Sequence, residues 1–134
     1  MTEHRKLAGF TLIELLISIV ILGLLMSLVA PTMFSKVDST KIKTARAQMQ
    51  MLQMALDTYR LDMGDYPQSL KDLHVSTGIG WDGPYLPKAL PADPWGNDYS
   101  YESPGPNGEI YLLKSYGKGG QVGGEGDAED IVLK

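Results

Sequence analysis

The stretch from Phe10 to Ala30, FTLIELLISIVILGLLMSLVA, constrains this chain more than any other feature. A helix rises about 1.5 Å per residue and needs roughly 20 apolar residues to cross a bilayer core, which this run supplies. Arg5 and Lys6 stand before it, and basic flanks of this kind favour a cytoplasmic N-terminus with the following chain translocated. A cleaved secretory signal places small residues after its apolar core as a cleavage site. Here Val29-Ala30-Pro31 leads into a helical pattern instead, so residues 10–30 are expected to be retained as a transmembrane helix. Glu14 is the one ionisable residue in the run. A carboxylate inside a bilayer costs about 2.5 kcal/mol or more on insertion scales. Glu14 therefore either has a function there or lies close enough to the interface to stay wet.

The rest of the chain differs in kind. A total of 134 residues allows one modest domain. The hydrophobic fraction of 43% looks ordinary, but it averages the apolar run with a polar remainder rich in Gly and Pro. The net charge of −4 gives nothing for phosphates to release counterions against, so nucleic acid is not an expected partner. With no cysteine there is no disulfide framework, thiolate metal site or thiol nucleophile. Of the two histidines, His4 precedes the apolar run and His74 stands alone, so no Ser-His-Asp or metal-hydrolase constellation can be completed. The Gly-rich C-terminal stretch lacks the GK[ST] of a nucleotide cradle. No enzyme is expected.

Pro31 follows the apolar run and predicts a kink or local melting of the helix, with Gly23 as a second weak point. Beyond it, Ile42, Ala45, Met49, Leu52, Leu56, Tyr59 and Met63 recur at spacings of three and four. That is the apolar stripe of an amphipathic helix, with Lys41, Lys43, Arg46, Gln50, Asp57 and Arg60 on the other face. Residues 31–64 are thus expected to continue the helix, and Gly64 to stop it. The stripe suits a coiled-coil seam or, given the strand-rich segment that follows, a helix packed on a small sheet. Met49, Met51, Met54 and Met63 read as packing filler rather than a ligand site. In residues 65–134, Ser69 is expected to cap a short helix through Leu73. Tyr99–Tyr101 and Glu109–Ser115 read as strands joined by the Pro104–Gly108 turn, with a last short strand at Ile131 and Val132.

The N-terminal residues carry a resemblance. Gly9-Phe10-Thr11-Leu12-Ile13-Glu14, behind a short basic leader and ahead of a long apolar run, resembles the signal of type IV pilins and their relatives. Members of that family are cut after the glycine by prepilin peptidase, and the new first residue is N-methylated. The resemblance implies a leader of residues 1–9, a scissile bond between Gly9 and Phe10, methylation of Phe10, and an assembly role for Glu14. The physics agrees. A new α-amino group is mostly charged at neutral pH. Among packed apolar helices it needs a counter-ion, which Glu14 of a neighbouring subunit can supply while fixing register.

Further matches narrow the branch. Tyr66-Pro67, Gly83-Pro84-Tyr85-Leu86, Leu90 through Asn97 with its Asp-Pro-Trp-Gly-Asn run, and Ser115-Tyr116-Gly117 leading to Gly-Gly-Glu-Gly and Asp130-Ile131 are similar to the major pseudopilins of type II secretion. Within the run, Pro94 and Gly96-Asn97 suit a tight turn, and Trp95 is an apolar anchor for it. The resemblance implies an α+β fold, with a long N-terminal helix packed on a small antiparallel sheet. It implies a single-pass inner-membrane subunit with its C-terminal domain in the periplasm. Its partners would be copies of itself, prepilin peptidase, minor pseudopilins, an inner-membrane assembly platform and the inner membrane. The family function is a periplasmic filament that drives folded proteins across the outer membrane; the alternative is a type IV pilin of a surface filament for adhesion, motility or DNA uptake. Calcium is the implied cofactor, held by Ser115, the carbonyl of Tyr116, Asp127 and Asp130. This chain departs from the family at Gly119, where an aspartate ligand is usual, and in a short segment between Pro67 and Trp81.

Overall fold

Phe10 and Thr11 lead into a helix α1 that is assigned from Leu12 to Met63. The structure is a computed structural model describing residues 9–75, 78–124 and 129–133; the leader residues 1–8 and Asp127 lie outside them. The chain divides into two compact units, one ending at Val37 and the other beginning at Asp38.

In the first unit α1 is apolar on all sides and buries nothing. Phe10, Leu16, Leu22, Leu28 and Phe34 are all more than half exposed. A helix apolar all round requires an apolar medium or other helices about it. By length and composition α1 is able to cross a membrane. The local melting expected at Pro31 does not occur, since the helical assignment passes through it. Proline removes only the donor to the Ser27 carbonyl; separately, Ser27 Oγ donates to the Leu24 carbonyl at 2.6 Å and Thr32 Oγ1 to the Val29 carbonyl at 2.8 Å.

In the second unit α1 becomes one-sided. Ala45, Met49, Leu52, Ala55, Leu56 and Tyr59 are buried, as the three-and-four spacing predicts. Met51 and Met63 pack at the edge of the core, whereas Met54 is exposed. Gly64 ends the helix at φ +93, a conformation costly for a side chain, with its N–H on the Arg60 carbonyl at 2.8 Å. A 3₁₀ turn, Leu70–Leu73, follows. Ser69 caps it: Ser69 Oγ accepts from the Lys71 N–H, while the Ser69 N–H donates to Asp72 Oδ2, both at 3.3 Å.

Three short strands form one antiparallel sheet in the order β1 (Ser100–Glu102), β2 (Leu112–Ser115), β3 (Ile131–Leu133). Tyr101 opposes Leu113, and Ser115 opposes Ile131. β2 is shorter than the sequence suggests, because Glu109 serves the hairpin loop. Its carbonyl accepts from Gly105 at 2.8 Å and its carboxylate from the Asn107 N–H at 2.9 Å. Leu113 and Ile131 of the sheet join the helix stripe, Leu70, Leu73, Leu86 and Tyr99 in one core. Each fully buried leucine contributes about 1.5–3 kcal/mol relative to exposure.

Candidate functional site

Two regions hold the residues singled out from the sequence. The first is the start of α1. Gly9 and Phe10 are exposed and precede the helix, with Phe10 83% exposed. Glu14 turns back on its own chain: the Thr11 N–H donates to Glu14 Oε2 at 3.0 Å and the Glu14 N–H to Thr11 Oγ1 at 3.3 Å. This is a reciprocal capping box, and Thr-x-x-Glu is its sequence signal. The expectations for Glu14, a costly charge in the membrane and a counter-ion in assembly, do not include this cap. Glu14 thus stabilises the first turn of its own helix, where a negative charge also suits the helix dipole.

The second region lies where the Asp-Pro-Trp-Gly-Asn turn meets the end of β2. Asp93 closes the turn on itself. Its backbone N–H donates to the Asn97 carbonyl at 2.7 Å, and its own carbonyl accepts from Gly96 at 2.9 Å. Asp93 is 4% exposed. Oδ1 accepts from the backbone N–H groups of Trp95 at 3.0 Å and Asn97 at 2.8 Å. Oδ2 accepts from the Ser115 hydroxyl at 2.9 Å. A buried carboxylate is tolerated when donors surround it in this way. The sequence marks the turn but gives no sign that Asp93 reaches Ser115, because nothing local links two residues 22 apart. Trp95 packs against the core as the anchor expected of it, with its indole nitrogen buried and unpaired among the described residues.

Ser115 is fully buried, and its Oγ also accepts from the Gly117 N–H at 3.2 Å. The β2–β3 register sets Ser115 opposite Ile131, so Tyr116 and Asp130 occupy adjoining strand ends. Asp130 Oδ2 accepts from the Gly123 N–H at 3.1 Å, whereas its Oδ1 is buried with no hydrogen-bond partner among the described residues. An orphaned buried carboxylate oxygen is costly, and a hard cation with oxygen ligands is one group that relieves it. Ser115, the Tyr116 carbonyl and Asp130 therefore fit calcium by donor chemistry. Among the described residues no three acidic or histidine side chains converge on one point, and Gly119 has none to offer. Neutral oxygens and Asp127, which lies outside the described residues, would have to complete such a site. Gly120, at φ +64, brings the loop close to the turn: a Cβ there would lie 3.0 Å from Asn97 Nδ2.

Tyrosine hydroxyls tie the second unit together, two of them to the helix and one to the loop that follows it. Tyr99 donates its hydroxyl to Gln48 of α1. Burial, and then the negative charge of Asp93, push the Tyr99 hydroxyl up to about 12. Tyr101 donates to the Pro67 carbonyl at 2.7 Å and Tyr66 to Asp57 at 2.8 Å.

Known proteins share both halves of this arrangement. Residues 4–30 match the prokaryotic N-terminal methylation motif, and residues 32–134 match the family described as type II secretion system (T2SS), protein G. The chain is 38% identical over 137 residues to the type II secretion system core protein G of Pseudomonas aeruginosa, covering 96% of each. It is 39% identical over 139 residues to the protein of the same name from Vibrio cholerae, covering 98% of this chain and 94% of that one. Among solved structures it is similar to the major pseudopilin from the type 2 secretion system of enterohaemorrhagic Escherichia coli. That match has a TM-score of 0.58 and 30% identity, over 74% of this chain and 90% of the other. An exposed apolar helix with a methylation motif, joined to a small helix-and-sheet domain of this sequence, places the chain in the type II secretion system protein G family of major pseudopilins.

Proposed function

We infer that the chain is the repeating structural subunit of a type II secretion pseudopilus, anchored in the inner membrane before assembly with its C-terminal domain in the periplasm. The observation that carries this reading is the pairing of an all-round apolar, wholly exposed helix with a self-contained polar domain, both within one protein G sequence. The helix partitions into lipid as a monomer and packs against copies of itself in a filament. Prepilin peptidase would cut between Gly9 and Phe10, and Phe10 would become the methylated N-terminus. In the filament Glu14 would exchange its capping bond for the Phe10 amino group of a neighbour, replacing a partner on its own chain with one that fixes subunit register. Minor pseudopilins and an inner-membrane platform would complete the assembly.

Calcium belongs to the same reading. Ser115, the Tyr116 carbonyl, Asp127 and Asp130 would hold it, at lower affinity than an intact aspartate ligand set because Gly119 supplies nothing. A bound cation supplies positive charge to oxygens that otherwise repel, and so orders a glycine-rich loop whose backbone entropy opposes ordering by about 1–2 kcal/mol per residue.

The test is secretion in the native host. Deleting the gene should leave folded exoproteins in the periplasm and spare surface motility and adhesion. Mass spectrometry of the subunit should show an N-terminal methyl-phenylalanine. Normal secretion with lost motility would instead assign the chain to a type IV pilus.

A further inference from the structure

We propose that Lys41, Lys43 and Arg46 form a basic band that docks on anionic phospholipid headgroups of the bilayer crossed by the preceding apolar helix. This rests on the membrane reading above. Charge along the sequence sets where that bilayer lies. No residue between Glu14 and Lys36 is charged. Residues 15–35 make a helix about 32 Å long, which matches a hydrocarbon core of about 30 Å. Exposed apolar side chains continue past Ala30 through Met33, Phe34 and Val37, so the apolar surface extends as far as Lys36. Lys36 is exposed, and a lysine stem suits the place where a helix leaves the hydrocarbon. Arg46 comes ten residues later, which is at most about 15 Å of helix. The headgroup layer is roughly 5–8 Å deep on each side, and its attraction extends a further Debye length of about 8 Å. All three basic residues are within that reach.

The band is open and unopposed. Lys43 and Arg46 stand three apart on the helix face away from the buried Ala45 and Met49, and both are exposed; Lys41 is partly exposed. Among the described residues none of the three enters an ion pair, and Asp38, the one acidic residue of 31–50, is engaged by Lys118 at 3.7 Å. From residue 51 onward the chain carries 13 acidic and 6 basic residues. An anionic surface attracts the band and repels that remainder, so charge selects the band as the part that meets the membrane. Basic residues on the translocated side run against the usual cytoplasmic bias, so insertion itself gives no reason for them. Each Lys or Arg near an anionic surface strengthens attraction about fivefold, so three together exceed tenfold even when partly screened.

The experiment uses the full chain in phosphatidylcholine vesicles. Thr44→Cys, in a chain that otherwise has no cysteine, carries a dye among the three basic residues at an exposed position. Energy transfer to trace tail-labelled phosphatidylglycerol or phosphatidylcholine reads which lipid gathers at the band. Phosphatidylglycerol should be enriched at least tenfold in low salt, and fall to parity in about 1 M salt, where the Debye length is roughly 3 Å. The triple variant Lys41→Gln, Lys43→Gln, Arg46→Gln should sit at parity. Lys71→Gln, Lys88→Gln, Lys114→Gln removes the same charge elsewhere and should keep the enrichment. Parity in the wild type, indifference to salt, or undiminished enrichment in the band variant overturns the proposal. If the band variant does not fold, Lys43→Gln alone decides: it should cut the enrichment severalfold, and no change overturns the proposal. Displacement by inorganic phosphate beyond that by chloride of equal ionic strength makes the band a free-phosphate site and overturns the assignment to lipid. A band variant that keeps its lipid enrichment but forms no filaments shows that the band faces a second copy of the chain, which also overturns it. A wild-type chain that never enters the vesicles overturns the membrane reading itself, and the proposal with it.

Discussion

Between Leu12 and Val37 the large apolar side chains are all more than half exposed, whereas from Ala45 onward Met49, Leu52, Leu56, Leu73, Leu113 and Ile131 close into a core. The hydrogen bonds differ in the same way. In the first region side chains bond within three or four residues of themselves, as with Thr11 and Glu14 or Ser18 and the Glu14 carbonyl. In the second they span 22 residues from Ser115 to Asp93, 34 from Tyr101 to Pro67 and 51 from Tyr99 to Gln48. The first region is a local structure with its apolar surface left uncovered within the chain. The second is complete within one chain. On the function proposed above, the subunit uses both, a helix that would pass from membrane to filament and a domain that would stay folded through the transfer.

The largest expected effect tests the first region's dependence on other molecules. Glu14→Ala should insert and be processed normally yet yield no filaments, because the Phe10 amino group loses its counter-ion. Sheared filament yield and exoprotein secretion measure it, and wild-type values would make Glu14 a helix cap and nothing more. Next comes a matched pair of leucines. Leu52→Ala removes a fully buried side chain and should destabilise the domain by about 2–5 kcal/mol. Leu22→Ala, at a site 55% exposed, should leave denaturant unfolding of the domain unchanged. Equal losses from the two would erase the contrast between regions.

A smaller effect is confined to the second region and to alkaline pH. Tyr99 is pushed up to about 12 by burial and then by Asp93, and Tyr111 to about 12 by burial and then by Asp57. In the unfolded chain both titrate near about 10. The folded state therefore keeps protons that the unfolded state releases. Their contribution is fully present below about pH 10 and drains away as pH rises through about 12. Denaturant midpoints should fall across that window, and Tyr99→Phe should flatten the fall. The smallest effect is Ser69→Ala, which removes the cap of the 3₁₀ turn at a cost of about 1 kcal/mol in the same unfolding assay.

Several features were legible because their causes are local. The membrane-length run, the helix stripe from Ala45 to Tyr59, the Gly64 stop and the Ser69 cap each follow from residues within a turn or two of one another. The Thr11–Glu14 capping box was equally legible from its spacing and was overlooked. Pro31 does not melt the helix, because it removes a single donor from a helix assigned without a break from Leu12 to Met63. The strand expected over Glu109–Ser115 was too long, because the alternation of residues does not reveal that Glu109 is engaged by Gly105 and Asn107.

By itself the sequence determined where the chain is apolar on every side, where it is apolar on one, and which motifs open and close each segment. Those properties come from hydropathy and backbone preference, which act over a few residues. Only the tertiary structure decided that Asp93 meets Ser115, that Tyr99 reaches Gln48, and that Asp130 holds a buried oxygen without a donor. Such contacts depend on how a glycine-rich loop, a tight turn and three short strands close over the helix. Chain closure over tens of residues leaves no periodic trace in the residues it brings together.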